Sequence, residues 1–297
     1  MKNRHWKTHL QYELLVLPAL ALYIVFCGFP FVHTFFYSVT NFNKYHVHDY
    51  HWVGLANYLQ VGRLSMLRAA LSNSIRYAFF MTLFQSLLAI PLAVLLNARL
   101  RLRNLYRMLF FLPAMFSPLV VGHLWKNMLA PAANNGLINQ LLLSLGMSPV
   151  AFLSSAGALR SIILSQVWQW TGWAMVIYLA NLQNISEDVL EAARIDGASE
   201  GRIFFCITLP HLYPGVTVVT ISSLVGGLKV FDIVQSMTGG GPGYATETIM
   251  GALIKTGFSE GNYALATAFG VVFFIVVMLI STILLRTLKL WERAVEG

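Results

Sequence analysis

Charged residues make up only 11% of the 297 positions, and acidic ones number only 12, against 57% apolar residues and a mean hydropathy of +0.65. A soluble domain needs polar surface to meet water, and this composition cannot supply it. The chain therefore reads as an integral membrane protein. Cysteine is nearly absent too. Cys27 falls inside an apolar run and Cys206 in a polar segment far from it, so neither a disulfide framework nor a thiolate metal site is indicated. Also missing is G-x-x-x-x-G-K-S/T, the glycine loop that cradles nucleotide phosphates; "GGLKVFD" is too short for it and lies in an apolar run. The chain on its own is therefore no ATPase. No Asp or Glu sits near the centre of an apolar run, which removes the carboxylate relay of proton-coupled transport and leaves open only a sodium site of carbonyls and hydroxyls. The net charge of +8 is the usual basic flank of membrane spans rather than a nucleic-acid surface.

What the chain has in abundance is long uncharged runs. A helix needs about 20 mostly apolar residues to cross a hydrocarbon core of roughly 30 Å. Six runs qualify, 14–38, 74–97, 107–128, 159–182, 212–232 and 264–285. No alternating pattern suggests a barrel, and helices satisfy their own backbone in lipid. The first run follows the basic "MKNRHWKTHLQYE" and is too long for a cleaved signal, so it reads as a retained span. A further apolar stretch, "LINQLLLSLG", is bounded by Pro131, Asn134, Asn135 and Gly136 before it and by Gly146 and Pro149 after it. It is too short to cross and reads as an interfacial helix on the outer side.

Lys and Arg placement orients the spans. The short loop "NARLRLRNLYR" carries Arg99, Arg101, Arg103 and Arg107, and Lys2, Arg4, Lys7, Arg194, Arg202, Arg286, Lys289 and Arg293 fall on the same side. That side is the cytoplasm, with both chain termini in it.

Between the fourth and fifth runs lies "VLEAARIDGASEGRIFFCITLPHLYP", residues 189–214, which has no lipid-facing character. Seven charged residues, Glu187 and Asp188 just before it and Glu191, Arg194, Asp196, Glu200 and Arg202 within it, crowd around its start. Ser186 suits a helix cap, with Glu187 and Asp188 in the first turn at the positive end of the dipole. The helix is expected to run to about Ile195 and stop at Gly197, with Glu191 and Arg194 paired on its exposed side. Leu190, Ala193 and Ile195 leave only a narrow apolar strip, and Ala192, Ala193, Gly197 and Ala198 let another backbone approach closely. Ser199 can start a second short helix through Ile203, Phe204 and Ile207, and Pro210 and Pro214 redirect the chain into the fifth run. A charged loop of this kind is usually no more than a solvated face.

The spacing of "EAARIDGA" followed by "F..ITLP...P" resembles the EAA loop of binding-protein-dependent ABC importer permeases, in the carbohydrate-uptake family that includes the membrane subunits for maltose and glycerol 3-phosphate. "VWQWTGWAMVIYLANLQNISEDVLEAARIDGA", "FDIVQSMTGGGPGYATET", "WVGLANY" and "NARLRLRNLYRMLFFLP" resemble other segments of the same family, so the likeness spans about residues 14–286. The ending "LRTLKLWERAVEG" lacks the tail of the second subunit in such pairs, which favours a first-type member. The resemblance implies an all-α, polytopic fold of the type I importer class with six transmembrane helices. It divides the chain into an N-terminal tail, first span and outer loop (1–70), a transmembrane domain (71–285) with the EAA loop at about 187–210, and a cytoplasmic tail (286–297). It implies as partners a second homologous permease subunit, two ATP-binding subunits that hold ATP and Mg, and an extracytoplasmic substrate-binding protein. No cofactor in this chain, no enzymatic activity and residence in a bacterial-type cytoplasmic membrane, against its lipid, follow from the same likeness. The coupling residues it marks are Glu191, Ala192, Ala193, Asp196, Gly197 and Ala198. A glycerol phosphate or polyol permease is the alternative within the family, and an ion-coupled secondary transporter the alternative outside it.

Two other constellations bear on function. "KYHVHDYHW" places His46, His48, Asp49 and His51 together, and in an extended strand His46 and His48 would share a face. No second ligand cluster accompanies them, so a polar outer loop is the favoured reading, as hydrogen-bonded helix residues are for His33 and His123. No nucleophile, base and orienter can be assembled. Along the fourth and fifth runs, Gln169, Trp170, Trp173, Asn181, Ser222, Ser223 and Lys229 are candidates to line a substrate passage, because aromatic faces stack on sugar rings and amides or hydroxyls meet sugar hydroxyls. Interfacial aromatic belts and helix packing explain the same residue types. Gly226 and Gly227 allow a close helix approach or a bend.

Overall fold

Apolar runs without internal breaks become single helices here, and runs containing a well-placed proline become broken ones. The computed structural model describes residues 15–98 and 100–296. The basic N-terminal run, with Lys2, Arg4 and Lys7, the first residue of the first predicted span, and Arg99 lie outside the described residues. In chain order the helices are α1 (Leu15–Ser38), α2 (Ala56–Arg63), α3 (Ser65–Asn97), α4 (Arg103–Phe111), α5 (Pro118–Met128), α6 (Leu137–Ser144), α7 (Ala158–Leu182), α8 (Glu187–Ile195), α9 (Glu200–Ile203), α10 (Tyr213–Leu228), α11 (Asp232–Met237), α12 (Ile249–Ile254) and α13 (Tyr263–Glu296). Among the described residues the extended pairing is limited to one bridge, Thr40 with Trp52.

The expectation of six spans is met in part. By length and apolarity α1, α3 and α13 can each cross a membrane, and two bent pairs raise the number to as many as five. The predicted third span is one of these pairs, bent by 95° between Arg103–Met115 and Pro118–Met128. Its cause is Pro118: the residue before a proline is pushed out of the helical region, and Ser117 has φ −59° and ψ 137°. The predicted fifth span begins after a 61° bend between Glu200–His211 and Tyr213–Leu228, where Pro210 and Pro214 were expected to turn the chain. The predicted fourth span is the 25-residue α7. It is not among the helices apolar enough to qualify, because Arg160, Ser161, Ser165, Gln166, Gln169 and Asn181 lower its mean apolarity; Ser161, Ser165, Gln166 and Gln169 are buried. The stretch 137–146 forms the short α6, as its length and flanking glycines require.

The chain divides into two compact units, one running up to Leu64 and taking in Leu253–Phe274, the other Ser65–Ala252 with the chain from Ile275. In the first, the loop after α1 folds over an aromatic cluster in which Phe42 stacks on Tyr37 at 4.4 Å and meets Tyr50 and Tyr263 at 5.6 and 5.3 Å. The buried Asn57 side chain, from the "WVGLANY" stretch, donates to the carbonyls of Ser38 (2.9 Å) and Thr40 (2.7 Å), satisfying groups freed where α1 ends. The histidine cluster does not form the strand that would align its members. Asn43 Oδ1 accepts from the backbone N–H groups of Tyr45 and His46 and curls the segment into turns. Among the described residues no group of three or more His, Cys, Asp or Glu could hold a metal ion. His33 bonds the Phe29 carbonyl at 3.0 Å within its own helix.

In the second unit α3, α7 and α10 pack side by side, and α5 packs with α11. Two apolar clusters hold them. One gathers Tyr77, Met81, Val121, Ile162, Val167 and Ile233, the other Ala89, Ala93, Met175, Tyr178, Leu212 and Val219. Buried Gln85, Gln166, Gln169 and Ser223 lie on the same three helices, hydrogen-bonded as lipid or protein burial demands.

Candidate functional site

A cavity of about 320 Å³ opens among α3, α7 and α10 of the second unit. Trp170, Trp173, Ser222, Ser223 and Lys229, five of the seven residues expected along a passage, line it. The other two do not. Gln169 is fully buried behind the wall, its amide donating to the Phe116 carbonyl at 2.8 Å. Asn181 lies just over three turns further along α7 and bonds the Ile177 carbonyl at 2.9 Å. The sequence reading missed the α3 wall, Tyr77, Met81 and Gln85, as well as Gln166, Pro118 and Phe231. A signal was there: Asn73, Tyr77, Met81, Gln85, Ala89 and Ala93 recur every four residues, and all are buried.

Gly226 and Gly227, adjacent near the end of α10, have separate roles. A Cβ on Gly227 would lie 2.8 Å from the Ala78 Cα, so its absence is what lets α10 meet the α3 backbone, whereas Gly226 has nothing within 4 Å and faces the cavity. The helix ends at Leu228, and Asp232 begins α11 instead of closing the span. Lys229 and Asp232 both line the cavity, and among the described residues no ion pair joins them, since α10 ends before Lys229 and the two are not carried on one helix.

On the loop between α7 and α10, local chemistry behaves as read. Ser186 Oγ accepts from the Asp188 N–H at 3.3 Å, capping α8. The helix closes with Gly197 at φ +78°, its N–H bonded to the Arg194 carbonyl and the Ala198 N–H to the Ala193 carbonyl, both at 3.0 Å. A left-handed residue is required there, and glycine takes it without penalty. Ser199 Oγ caps α9 by accepting from the Arg202 N–H. Ser186→Ala is expected to cost about 1 kcal/mol of local helix stability, read as faster amide hydrogen exchange across 187–195 with exchange in α7 unchanged.

One expected contact is corrected. Arg194 pairs with Glu200 at 2.9 Å, not with Glu191, because the turn at Gly197 folds the start of α9 back onto α8. The hydrogen bond to Glu200, and then its charge, raises the Arg194 pKa, with a smaller push from Glu191. Glu191 is left exposed and without a hydrogen bond or ion pair among the described residues. Ala192, Asp196 and Gly197 are also exposed, Ala193 and Ala198 half-buried, and Ile195 and Phe205 present 85% and 67% of their surface. Behind this face a groove of about 760 Å³ runs between the loop and the ends of α3 and α4, with Asn97, Arg103, Glu187, Glu191 and Arg194 on its walls.

Residues 62–296 match the family described as binding-protein-dependent transport system inner membrane component, and the chain belongs to it. A probable ABC transporter permease, y4oQ of Sinorhizobium fredii, is 36% identical over 266 residues, which is 89% of this chain and 85% of its own length. The trehalose/maltose transport system permease MalF of Thermococcus litoralis is 32% identical, with 92% of each chain covered. Among solved structures, a bacterial alginate ABC transporter in complex with its alginate pentasaccharide-bound periplasmic protein has a chain of the same fold, with a TM-score of 0.82, 23% identity and 95% of this chain and 94% of that one covered.

Proposed function

We propose that this permease subunit moves a sugar or oligosaccharide inward through the α3–α7–α10 cavity, by alternating access powered by ATP that partner subunits bind with Mg and hydrolyse. The observation that carries the reading is the cavity wall. Trp170 and Trp173 offer apolar faces beside the Ser222 hydroxyl and the charged Lys229 and Asp232, apolar faces next to polar groups being what a polyhydroxylated ring requires, while Gln85, Gln166 and Ser223 in the same wall are bonded to protein. Its volume lies at the lower end of small-molecule sites. The sugar names of the MalF relative and of the alginate transporter support the same substrate class. Both termini and the 187–210 loop face the cytoplasm in this reading, where Glu191, Ala192, Ala193, Asp196, Gly197 and Ala198 meet an ATP-binding subunit. A second permease subunit completes the passage, and an extracytoplasmic binding protein delivers the substrate.

A phosphorylated polyol is the second reading, favoured by the Lys229 ammonium on the cavity wall and opposed by Asp232 beside it. In proteoliposomes holding the complete transporter, Trp170→Ala is expected to lower ATP-dependent uptake of labelled saccharides about tenfold, equivalent to roughly 1.4 kcal/mol. Lys229→Gln separates the two substrates: saccharide uptake persists, and glycerol 3-phosphate uptake, if it is the true cargo, collapses. Full saccharide uptake by the Trp170→Ala complex would sink the passage.

A further inference from the structure

Beside the cavity, a chain of hydrogen bonds does more than satisfy buried groups. The Gln166 Oε1 accepts from two donors at once, the Tyr77 hydroxyl and the Trp170 indole N–H, both at 3.2 Å. A carboxamide oxygen has two lone pairs, and both are used. The amide Nε2 of Gln166 donates to Gln169 Oε1 at 2.5 Å, and Gln169 donates onward to the Phe116 carbonyl at 2.8 Å. Phe116 stands in the 95° break of the third span, out of the helix. From the other side, Gln85 Nε2 donates to the Trp170 carbonyl at 2.9 Å, and Ser223 Oγ donates to Gln85 Oε1 at 2.7 Å. Trp170 is thus gripped by its backbone and by its ring.

Helix adhesion alone does not call for this arrangement. Apolar clusters already join α3, α7 and α10, and the close contact at Gly227 needs no polar group. Each buried amide costs free energy unless all its partners are present. Apolar side chains at 77, 166 and 169 together would avoid that cost and keep the packing, Gln166 being only 5% exposed. What they would also remove is the acceptor that the Trp170 indole has among the described residues, Gln166 Oε1.

The geometry points to Gln166 as a positioning residue for transport: its carboxamide sets the Trp170 indole on the cavity wall and, through Gln169, ties that wall to the broken third span at Phe116. This rests on the cavity being the substrate passage. Substrate that slides along the indole face meets a ring held at one angle, and a shift of that ring pulls on the same amide chain that ends at the break.

The test uses the complete transporter in proteoliposomes, with uptake of labelled saccharide normalised to assembled complex. Gln166→Glu, as the protonated acid, keeps an oxygen that accepts from the indole and the Tyr77 hydroxyl and an O–H that donates to Gln169 Oε1, and uptake is expected to stay within about threefold of the parent. Gln166→Met, close in volume and apolar, is expected to lose about tenfold, the range for one removed partner of a buried hydrogen-bonded group. A packing or adhesive role predicts the opposite order, since an apolar interior tolerates methionine better than a carboxyl, and that order would overturn the positioning role. Trp170→Phe reads the same bond from its other end with Gln166 in place, so it serves even if Met at 166 blocks assembly. It too is expected to lower uptake about tenfold, and undiminished uptake counts against positioning. Residues acting as a unit are non-additive, so Gln166→Met combined with Trp170→Ala is expected to be no worse than Trp170→Ala alone. Multiplied losses would contradict the unit. If Trp170→Ala itself leaves uptake unchanged, the passage fails; if it impairs uptake while Gln166→Met and Trp170→Phe do not, positioning alone fails.

Discussion

A Glu191→Lys permease is expected to insert and assemble, and then to lose uptake and the stimulation of ATP hydrolysis by loaded binding protein by more than tenfold. The contrast follows from where the charge sits. Glu191 is exposed, and Arg194, the partner its spacing suggested, is already taken by Glu200. Reversing an exposed charge that makes no hydrogen bond or ion pair among the described residues costs a fold little, within about 0.5 kcal/mol. At a docking face the same reversal places like charge where opposite charge was matched, which costs several kcal/mol and suppresses association. The measurements are the amount of chain in the membrane, uptake, and ATPase rate with and without loaded binding protein. Normal uptake by the variant would remove the α8 face from the coupling role.

The second large effect is expected at Gly227. Valine there would force its Cβ within 2.8 Å of the Ala78 Cα, a backbone atom that cannot rotate away. Overpacking a tight interface costs about 1–3 kcal/mol or more, and pushing α10 off α3 also opens the wall formed by Ser222, Ser223 and Gln85. Assembled complex is therefore expected to fall several-fold, and uptake per assembled complex with it. Gly226→Ala is the control on the adjacent position: with nothing within 4 Å of its Cβ, it leaves assembly intact. Equal damage from both variants would show that chain flexibility, not close approach, is what the glycine pair provides. Ala78→Gly, which removes the Cβ that would stand 3.0 Å away, is expected to relieve only part of the Gly227→Val defect, because the Cα remains.

These effects were unevenly visible beforehand. The α8 loop was legible to within a residue, since Ser186, Gly197 and Ser199 act on their own neighbours and need nothing distant. The Arg194 partner was not, because Glu200 reaches it only after the left-handed turn at Gly197. On α7, Trp170 and Trp173 were picked out by residue type and do face the cavity, while Gln169, of equally suggestive type, turns away to serve Phe116. Helical position alone cannot say which polar face meets a void and which meets another carbonyl. The α3 wall escaped notice because its stripe of Tyr77, Met81 and Gln85 lies within a run whose overall apolarity reads as lipid-facing.

Composition, uncharged runs and the punctuation of Ser, Gly and Pro by themselves determined that the chain is a helical membrane protein, where α1, α7 and α8 begin and end, and that the polar loop is a capped helical device. Those are local or additive properties, fixed by transfer to lipid and by capping within a few residues. Only the tertiary structure decided that Gln169 turns from the cavity to the Phe116 carbonyl, that α10 meets the α3 backbone at Gly227, and that Gln85 and Gln166 converge on Trp170. Each of those depends on which side chains from distant helices compete for the same hydrogen-bonding atom or the same space, and that competition has no counterpart along the chain.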